Sequence, residues 1–319
     1  MKCAVVREFN TRPQYGDMEP PVAAPGEIVV KVRAAALSQL ARAQAAGRHY
    51  AGGASLPIIP GVDGVGMLSN GERVYFAFPR APLGSMAELT AVPVGNCVRV
   101  PHEIDDATAA AISNPGMSSW AALIERAHFR SGEKVLINGA TGASGRLAIQ
   151  VARHLQAGMI IATCRNAHSV AGLERLGADI VVPLDQPEKV LIARFSELQR
   201  RHQIDIVLDY LWGKPAECLL TSFGGRGAGD AEPRVRYIQI GSVAGTSINF
   251  PSSILRGSGI ELIGSGLGSL SHLALIRSVS GVLGAAANGV LSVSALTYPL
   301  GEVTSRWNEP GTARVVFTI

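Results

Sequence analysis

The chain contains a glycine turn that could bind phosphate, VLINGATGASGRLAIQVARHL at residues 135–155. Its glycines are Gly139, Gly142 and Gly145; in the pattern G-x-G-x-x-G, Ala140 takes the first position and the last two glycines follow. Small residues let a backbone approach phosphate closely, and the helix that opens here supplies free N–H groups and a positive dipole end. The turn therefore predicts a site for a dinucleotide pyrophosphate; the alternative is a plain strand-to-helix turn.

All seven residues of the glycine turn are candidate cofactor contacts: Gly139, Ala140, Thr141, Gly142, Ala143, Ser144 and Gly145. The next apolar strand ends about 20 residues later in Cys164-Arg165-Asn166, with no acidic residue before Glu174. An acid there binds the 2′-hydroxyl of NAD, whereas an arginine accommodates the 2′-phosphate of NADP. We therefore predict NADPH as cofactor, with Arg165 and Asn166 as contacts. The alternative is that Arg165 is a solvated charge at the strand end.

The elements that must position these residues follow a regular alternation after Gly132. Apolar strands and helical stretches succeed one another as KVLING, RLAIQVARHLQ, MIIATCR, SVAGLERLG, DIVVPLD, a helix near 190–201, DIVLDYL, RYIQIGS and IELIGSG. Apolar strands that alternate with helices are typical of a parallel sheet covered on both faces. We predict a doubly wound α/β domain over residues 114–283.

The remaining residues predict a second, all-β domain. Strand-like segments at 3–9, 27–37, 72–78, 86–92 and 97–100 are separated by Gly and Pro turns, with one short helix near 37–46. The chain ends in another strand, ARVVFTI. We predict that residues 284–319 complete the domain formed by residues 1–113. The stretch 224–233, GGRGAGDAEP, is interpreted as a mobile loop.

Composition limits the class of protein. A chain of 319 residues suits two domains, and 47% hydrophobic with 17% charged residues excludes intrinsic disorder. The net charge of +4 does not require a nucleic-acid partner. Four widely separated cysteines without a C-x-x-C pair argue against a zinc ribbon or a disulfide framework and suit a reducing compartment.

Targeting segments are not evident in the sequence. The N-terminal apolar run is too short for a signal peptide, and the most apolar long stretch, 279–296, is interrupted by serines, glycines and Asn288. The expectation is a soluble, cytoplasmic protein without a membrane partner.

Four motifs together resemble the zinc-free quinone oxidoreductase branch of the medium-chain dehydrogenase/reductase superfamily. PGVDGVG (60–66), GERV (71–74) and GSMAELTAVP (84–93) are similar to its PGxDxxG, GDRV and GGxAEyxxVP, and GATGASG is similar to its AxxGxxG loop. The resemblance spans nearly the whole chain. It implies a GroES-like β domain around an inserted Rossmann domain, with the active site in the cleft. It also implies a homodimer paired through the last Rossmann strand, the alternative being a capped edge.

The same resemblance argues against a metal. Zinc-dependent members carry Cys where this chain has Ser38, and Gly-His-Glu where it has Gly61-Val62-Asp63. The four-cysteine structural zinc lobe is also missing. A catalytic zinc takes about three protein ligands, so the resemblance implies no metal site.

The resemblance also places candidate polar groups. Ser38 stands where the branch has an active-site Asn, and Tyr50 looks like the Tyr of its R-x-G-x-Y segment near the nicotinamide. We expect both to line the substrate pocket, with His49 as a candidate proton source. The alternatives are that Ser38 caps the following helix, that Tyr50 packs at the domain edge and that His49 faces solvent.

Three further cofactor contacts are expected. Asn114 opens the segment where the branch has its junction helix, and Gly241 and Ser242 follow a parallel strand at the carboxyl edge of the sheet, beside the nicotinamide. Two positions depart from the branch's pattern, because Ser169 and Leu184 stand where the branch has a Lys and a Tyr at the 2′-phosphate. The expected preference for NADPH therefore depends mainly on Arg165.

The resemblance implies an NADPH-dependent reductase of quinones or α,β-unsaturated carbonyls. Two alternatives stay open. One is a 2-enoyl thioester reductase, for which Arg234 and Arg236 could bind the phosphate of a carrier. The other is a non-catalytic NADPH-binding protein, including an RNA-binding one, although Arg200-Arg201-His202 is a short basic cluster without interleaved aromatic residues.

Overall fold

The computed structural model describes residues 1–48, 55–224 and 233–319. Tyr50, His49 and most of the predicted 224–233 loop lie outside these residues. Contacts divide the chain into two units, residues 1–117 with 271–319 and residues 118–270. The division lies four residues after the expected 113/114 boundary and thirteen before the expected 283/284 boundary.

Unit 1 is built on a mixed, largely antiparallel sheet. Its strands are β1 (Lys2–Val5), β2 (Gln14–Asp17), β3 (Glu27–Ala36), β4 (Asp63–Met67), β5 (Arg73–Ala77), β6 (Leu89–Pro93), β7 (Cys97–Arg99), β14 (Ala295–Pro299) and β15 (Arg314–Thr318). The sheet order is β14-β15-β3-β4-β5-β7, with β6 also paired to β3 and with β1 and β2 forming a hairpin. The C-terminal strand thus joins the N-terminal sheet, because β15 pairs antiparallel with β3.

The helices of unit 1 are α1 (Gln39–Ala45), α2 (Asp106–Ala121), α8 (His272–Ala287) and α9 (Val303–Arg306). Helix α2 begins in unit 1 and runs past Met117, where the contact division falls. Helix α8 packs on β7 and on the 3₁₀ turn Val94–Asn96. Because α8 packs on these elements of unit 1, the boundary between the two units lies before this helix. The apolar sequence of α8 alone would equally suit a helix that covers the parallel sheet.

Unit 2 contains a parallel sheet in the order β10-β9-β8-β11-β12-β13. Its strands are β8 (Lys134–Asn138), β9 (Met159–Cys164), β10 (Ile180–Pro183), β11 (Ile206–Asp209), β12 (Arg234–Gln239) and β13 (Gly259–Gly264). The helices are α3 (Ala143–His154), α4 (Val170–Glu174), α5 (Glu188–His202), α6 (Gly213–Phe223) and α7 (Ser252–Arg256). The predicted doubly wound α/β fold is confirmed.

Register brings the functional ends of these strands together. Asn138 at the end of β8 pairs with Asp209 at the end of β11, which pairs with Gln239 on β12. Behind them Leu136, Ile161 and other apolar side chains of the strands are fully buried. A buried apolar sheet fixes its own register, because a slip of one residue would turn each apolar side chain to the opposite face. The strand ends are therefore held at one edge.

None of the described helices combines the length and apolar character that a membrane crossing requires. The four cysteines are all unpaired.

Candidate functional site

The glycine turn between β8 and α3 is closed by direct backbone contacts. Gly139 has φ +94°, a conformation that side chains rarely adopt. A Cβ added to Gly145 would lie 2.4 Å from the carbonyl oxygen of Gly139 and 2.6 Å from Cα of Ala140. The first turn of α3 therefore sits against the turn that precedes it, and glycine at position 145 is a steric requirement.

The start of α3 is not covered by any described side chain. Its N-cap is Gly142, which is exposed, and no described side chain caps the helix there. A Cβ on Gly142 would meet no heavy atom of the described residues within 4 Å. The first N–H groups of a helix carry a partial positive charge of about half an elementary charge. The turn thus fits a pyrophosphate, with backbone donors from Gly142, Ala143 and Ser144.

A chain of hydrogen bonds fixes this turn to the neighbouring strand ends. The backbone N–H of Gly139 donates to Oγ1 of Thr163 over 2.8 Å, and that hydroxyl donates to Oδ1 of Asn138 over 2.8 Å. Nδ2 of Asn138 donates to Oδ1 of Asp209, again over 2.8 Å. Side chains from β8, β9 and β11 therefore determine where the glycine turn lies.

Asp209 is the centre of this network and is fully buried. Besides Asn138, it accepts hydrogen bonds from the Tyr237 hydroxyl at 2.8 Å and from the backbone N–H groups of Leu211 at 2.9 Å and Trp212 at 3.2 Å. Burial raises the pKa of Asp209, while these hydrogen bonds oppose the rise. The carboxylate also holds Trp212 at φ +55°, a strained value for a bulky residue. Sequence analysis had given Asp209 no role.

Thr163→Val is expected to lower the free energy of unfolding by about 2 kcal/mol, because Gly139 N–H and Asn138 Oδ1 would lose a buried partner. Thr163→Ser keeps the hydroxyl and serves as the matched control. Denaturant unfolding of the two variants measures the difference. Equal stability of the Val and Ser variants would show that the network does not hold the turn.

The other predicted cofactor contacts of unit 2 lie at the same edge of the sheet. Arg165 is exposed and forms no ion pair with any described residue. The carbonyl oxygen of Asn166 accepts a hydrogen bond from Sγ of Cys164 over 3.1 Å. A Cβ on Gly241 would lie 2.7 Å from the carbonyl oxygen of Tyr210, and Ser242 is exposed. Arg165 and Ser242 are therefore free to bind a ligand.

A second polar cluster, in unit 1, surrounds Asp63. Its carboxylate is 1% exposed and accepts hydrogen bonds from the Tyr75 hydroxyl at 3.1 Å and from Nδ2 of Asn114 at 3.2 Å. Burial raises the pKa of Asp63 to about 6, and the nearby Arg314 guanidinium and these two hydrogen bonds limit the rise. The predicted cofactor contact Asn114 is thus committed, through its amide, to Asp63.

Arg314 brings further donors to this cluster. Its Nε and Nη2 are buried and have no hydrogen-bond partner among the described residues, and the same holds for Nε of Arg42. Burial lowers the pKa of Arg314, whereas Asp63 raises it. Buried N–H groups without acceptors are costly, so Nε and Nη2 of Arg314 would be stabilised by an anionic or strongly polar group. The sequence analysis identified only a strand, ARVVFTI, in this part of the chain and gave Arg314 no role.

Ser38 has a structural task. It is 4% exposed, and its Oγ accepts a hydrogen bond from the backbone N–H of Ala41 over 3.0 Å as the N-cap of α1. The hydroxyl proton is still able to be donated, since the cap uses only an oxygen lone pair. Among the described residues, no three His, Cys, Asp or Glu side chains are grouped as metal ligands would be.

An aromatic pair lies next to the Asp63 strand. Phe78 follows β5, has φ +56° and donates its N–H to the carbonyl oxygen of Val62 over 2.7 Å. Its ring stacks on the exposed His272 with centroids 4.6 Å apart. Ala77, the preceding residue, is the cross-strand partner of Asp63. Strained backbone of this kind concentrates at functional sites, and sequence analysis did not find it.

Comparison with models of known protein families gives no match. Individual proteins are similar to the chain, one of them over its full length. A probable NADPH-dependent quinone reductase of Emericella nidulans is 29% identical, with 99% of each chain covered. An NADPH-dependent alkenal/one oxidoreductase of Arabidopsis thaliana is 28% identical over 49% of this chain and 44% of its own.

Solved structures agree with this similarity. The quinone oxidoreductase of Thermus thermophilus, whose complex with NADPH is also known, is 26% identical, covers 100% of both chains and superposes with a TM-score of 0.75. The full-length similarity, the parallel sheet with its glycine turn and the separate mixed sheet have one common explanation. The chain belongs to the medium-chain dehydrogenase/reductase superfamily, among its quinone oxidoreductase-like proteins.

Proposed function

We propose that this protein is an NADPH-dependent oxidoreductase that reduces quinones or α,β-unsaturated carbonyls. The observation that carries the proposal is the uncapped start of α3 behind a glycine turn with no space for a side chain at Gly145. The quinone and alkenal reductases to which the chain is similar support the substrate class. When bound, NADPH supplies a hydride from its nicotinamide C4 to an electrophilic carbon of the substrate.

The chain's own groups would hold the cofactor from its phosphates outward. Backbone N–H groups at the start of α3 receive the pyrophosphate. Arg165 and Asn166 lie at the end of β9, where dinucleotide-binding folds bind the ribose 2′-hydroxyl or 2′-phosphate. Gly241 and Ser242 follow β12, and Gly241 allows backbone to approach closely. Asn114 stays a proposed contact. Its amide nitrogen donates to Asp63, and its amide oxygen is the group that would meet the cofactor.

Stabilisation of the developing enolate or hydroquinone oxygen is assigned to hydroxyl donors. Ser38 retains its proton for this purpose, and Tyr50 is proposed from the resemblance alone. Such preorganised donors lower a barrier where charge develops in the transition state.

Catalysis without zinc is part of the proposal, and the donor set supports it. At the positions where zinc-dependent relatives have ligands, Ser38 caps a helix, Val62 has no donor atom and both oxygens of Asp63 accept hydrogen bonds from Tyr75 and Asn114. A metal there would have to replace all of these contacts to gain about three ligands.

The alternative 2-enoyl thioester reductase loses its suggested phosphate site. Arg234 forms a two-point ion pair with Glu261 at 2.6 and 2.8 Å. Arg236 is buried and is bound to Glu133 and to the carbonyl oxygen of Ala127. Neither arginine is free for a carrier phosphate. In the basic cluster proposed for RNA, Arg201 is paired with Glu197 at 3.3 Å.

A homodimer and a cytoplasmic location are also proposed. Strand β13 lies at the end of the parallel sheet, and its Leu262 is 41% exposed, so this edge is able to pair with a second copy. The unpaired cysteines suit a reducing compartment.

Cofactor oxidation at 340 nm tests the reaction, with NADPH against NADH and with an ortho-quinone, a para-quinone and a 2-alkenal as substrates. We expect faster turnover with NADPH, and Arg165→Ala should reduce the NADPH preference by up to roughly tenfold, since the side chain is exposed. Arg175→Ala, which removes another exposed charge at the end of α4, is the control. Consumption of neither cofactor with any substrate, while NADPH still raises the melting temperature, would replace catalysis by a binding role.

A further inference from the structure

Arg146 occupies the first turn of α3, directly after the glycine turn. Its Nε donates a hydrogen bond to the backbone carbonyl oxygen of Thr141 over 3.2 Å. The side chain is half-buried. This bond fixes one edge of the guanidinium against the turn and leaves the two Nη groups directed elsewhere.

The far end of Arg146 reaches the segment that follows β9. A Cβ built on Gly172, in α4, would lie 3.9 Å from Nη2 of Arg146. Arg165 stands at the start of this same connection between β9 and α4. The guanidinium of Arg146 therefore lies between the glycine turn and helix α4, which follows the strand end that carries Arg165.

The charge of Arg146 is not neutralised within the described part of the chain, where no carboxylate lies within 4 Å of it. The other arginine of α3 shows the contrast, because Arg153 is paired with Asp179 at 2.8 Å and donates to the carbonyl oxygen of Gly177. A half-buried guanidinium with one neutral acceptor would be stabilised most by an anion. Its planar set of N–H donors matches the oxygens of a phosphate.

We propose that Arg146 binds the 2′-phosphate of NADPH through its Nη groups while Nε stays on Thr141, and that it contributes more to NADPH selection than Arg165 does. The proposal rests on the NADPH-dependent function given above. Burial is the reason for the ranking, since a charged hydrogen bond weakens as solvent screens it, and Arg165 is exposed. The positive charge that selects NADPH thus comes from α3. Ser169 and Leu184, which stand where the branch has a Lys and a Tyr, supply no charge.

Calorimetric binding of 2′,5′-ADP and of 5′-AMP isolates the 2′-phosphate from the nicotinamide and from turnover. Wild type should prefer 2′,5′-ADP, and Arg146→Met should lose on the order of tenfold or more of that preference, with little change for 5′-AMP. Arg165→Met should lose less. Arg175→Met, which removes a neighbouring exposed charge, should lose none.

Gly172 offers a test that leaves Arg146 in place. Gly172→Asp puts a carboxylate within reach of Nη2, so it should pair with the guanidinium and reduce the 2′,5′-ADP preference by about the same factor. Gly172→Asn has nearly the same shape without the charge and should keep most of the preference. Because α4 is a helix and Gly172 has no positive φ, both side chains are compatible with its backbone.

The outcomes separate this proposal from the function on which it rests. A wild type that prefers 2′,5′-ADP, together with Arg146→Met and Gly172→Asp variants that keep the full preference, would overturn the role of Arg146 and leave NADPH dependence intact. A wild type without any preference would overturn both. If Arg146→Met does not fold, as judged by circular dichroism, the comparison of Gly172→Asp with Gly172→Asn decides.

Discussion

Gly145→Ala is expected to weaken NADPH binding by on the order of 100-fold or more, a loss of about 2.8 kcal/mol. The new methyl group would lie 2.4 Å from the Gly139 carbonyl oxygen and 2.6 Å from Cα of Ala140, both of which are backbone atoms. Neither can move aside as a flexible side chain does, so α3 must shift away from the glycine turn. Overpacking of this kind also destabilises a fold by about 1–3 kcal/mol. Fluorescence titration with NADPH and denaturant unfolding measure the two effects.

Gly142→Ala is the matched control for this experiment. A Cβ at position 142 would meet no heavy atom within 4 Å, and φ there is −74°. The variant should therefore keep its unfolding free energy to within about 1 kcal/mol, the usual size of an N-cap effect. If Gly145→Ala bound NADPH as tightly as wild type, the pyrophosphate would not lie on this turn.

Asp63→Asn is expected to remove a pH dependence of stability worth up to about 3 kcal/mol. The folded-state pKa of Asp63 is raised from 3.8 to about 6, chiefly by burial. Between those two pH values the native protein holds a proton that the unfolded chain has released. The wild-type contribution is therefore fully favourable below pH 3.8, falls as pH rises through this window and stays low above it. Asparagine cannot ionise and shows no such fall.

Unfolding free energies of wild type and Asp63→Asn at pH 4, 5, 6 and 7 give the test. The value for the variant minus the value for wild type should rise by about 2.4 kcal/mol across this range, since part of the full change occurs below pH 4. Other titrating groups cancel in the difference. Asp17→Asn provides a control of opposite sign, because the hydrogen bond from Lys2 lowers the pKa of exposed Asp17. A difference that does not change with pH would mean that Asp63 ionises as it does in water.

Local patterns were sufficient to predict much of the parallel sheet and its glycine turn. Apolar runs separated by helical stretches report burial on both faces of a strand, and this signal does not depend on distant residues. The predicted strands near 134–139 and 205–211 correspond to β8 and β11, with ends displaced by a few residues. Strand β2 and helix α8 were not predicted, because their residues are compatible with several structures until they pack.

Spacing along the chain predicted only those site residues that are neighbours in sequence, and the resemblance supplied remote ones such as Ser38 and Asn114. The glycine turn and Arg165 have a spacing that a single strand-turn-helix unit fixes. Asp63 and Asn114 are 51 residues apart, and their hydrogen bond exists only because β4 and α2 fold against one another. The sequence offered Ser38 two roles, and the structure uses its oxygen as a helix cap.

By itself, then, the sequence determined the doubly wound fold and the glycine turn, since close spacing of small and apolar residues has few structural solutions, and its motifs indicated the superfamily by resemblance. The tertiary structure decided which polar groups are bonded to other groups of the protein and which are available to a ligand. Asp209 became the hub of the strand ends, Arg234 and Arg236 were neutralised by Glu261 and Glu133, and Arg146 has no carboxylate partner in the described part of the chain. Such pairings depend on distances of a few ångströms between remote segments, because charge interactions fall off with separation and with solvent.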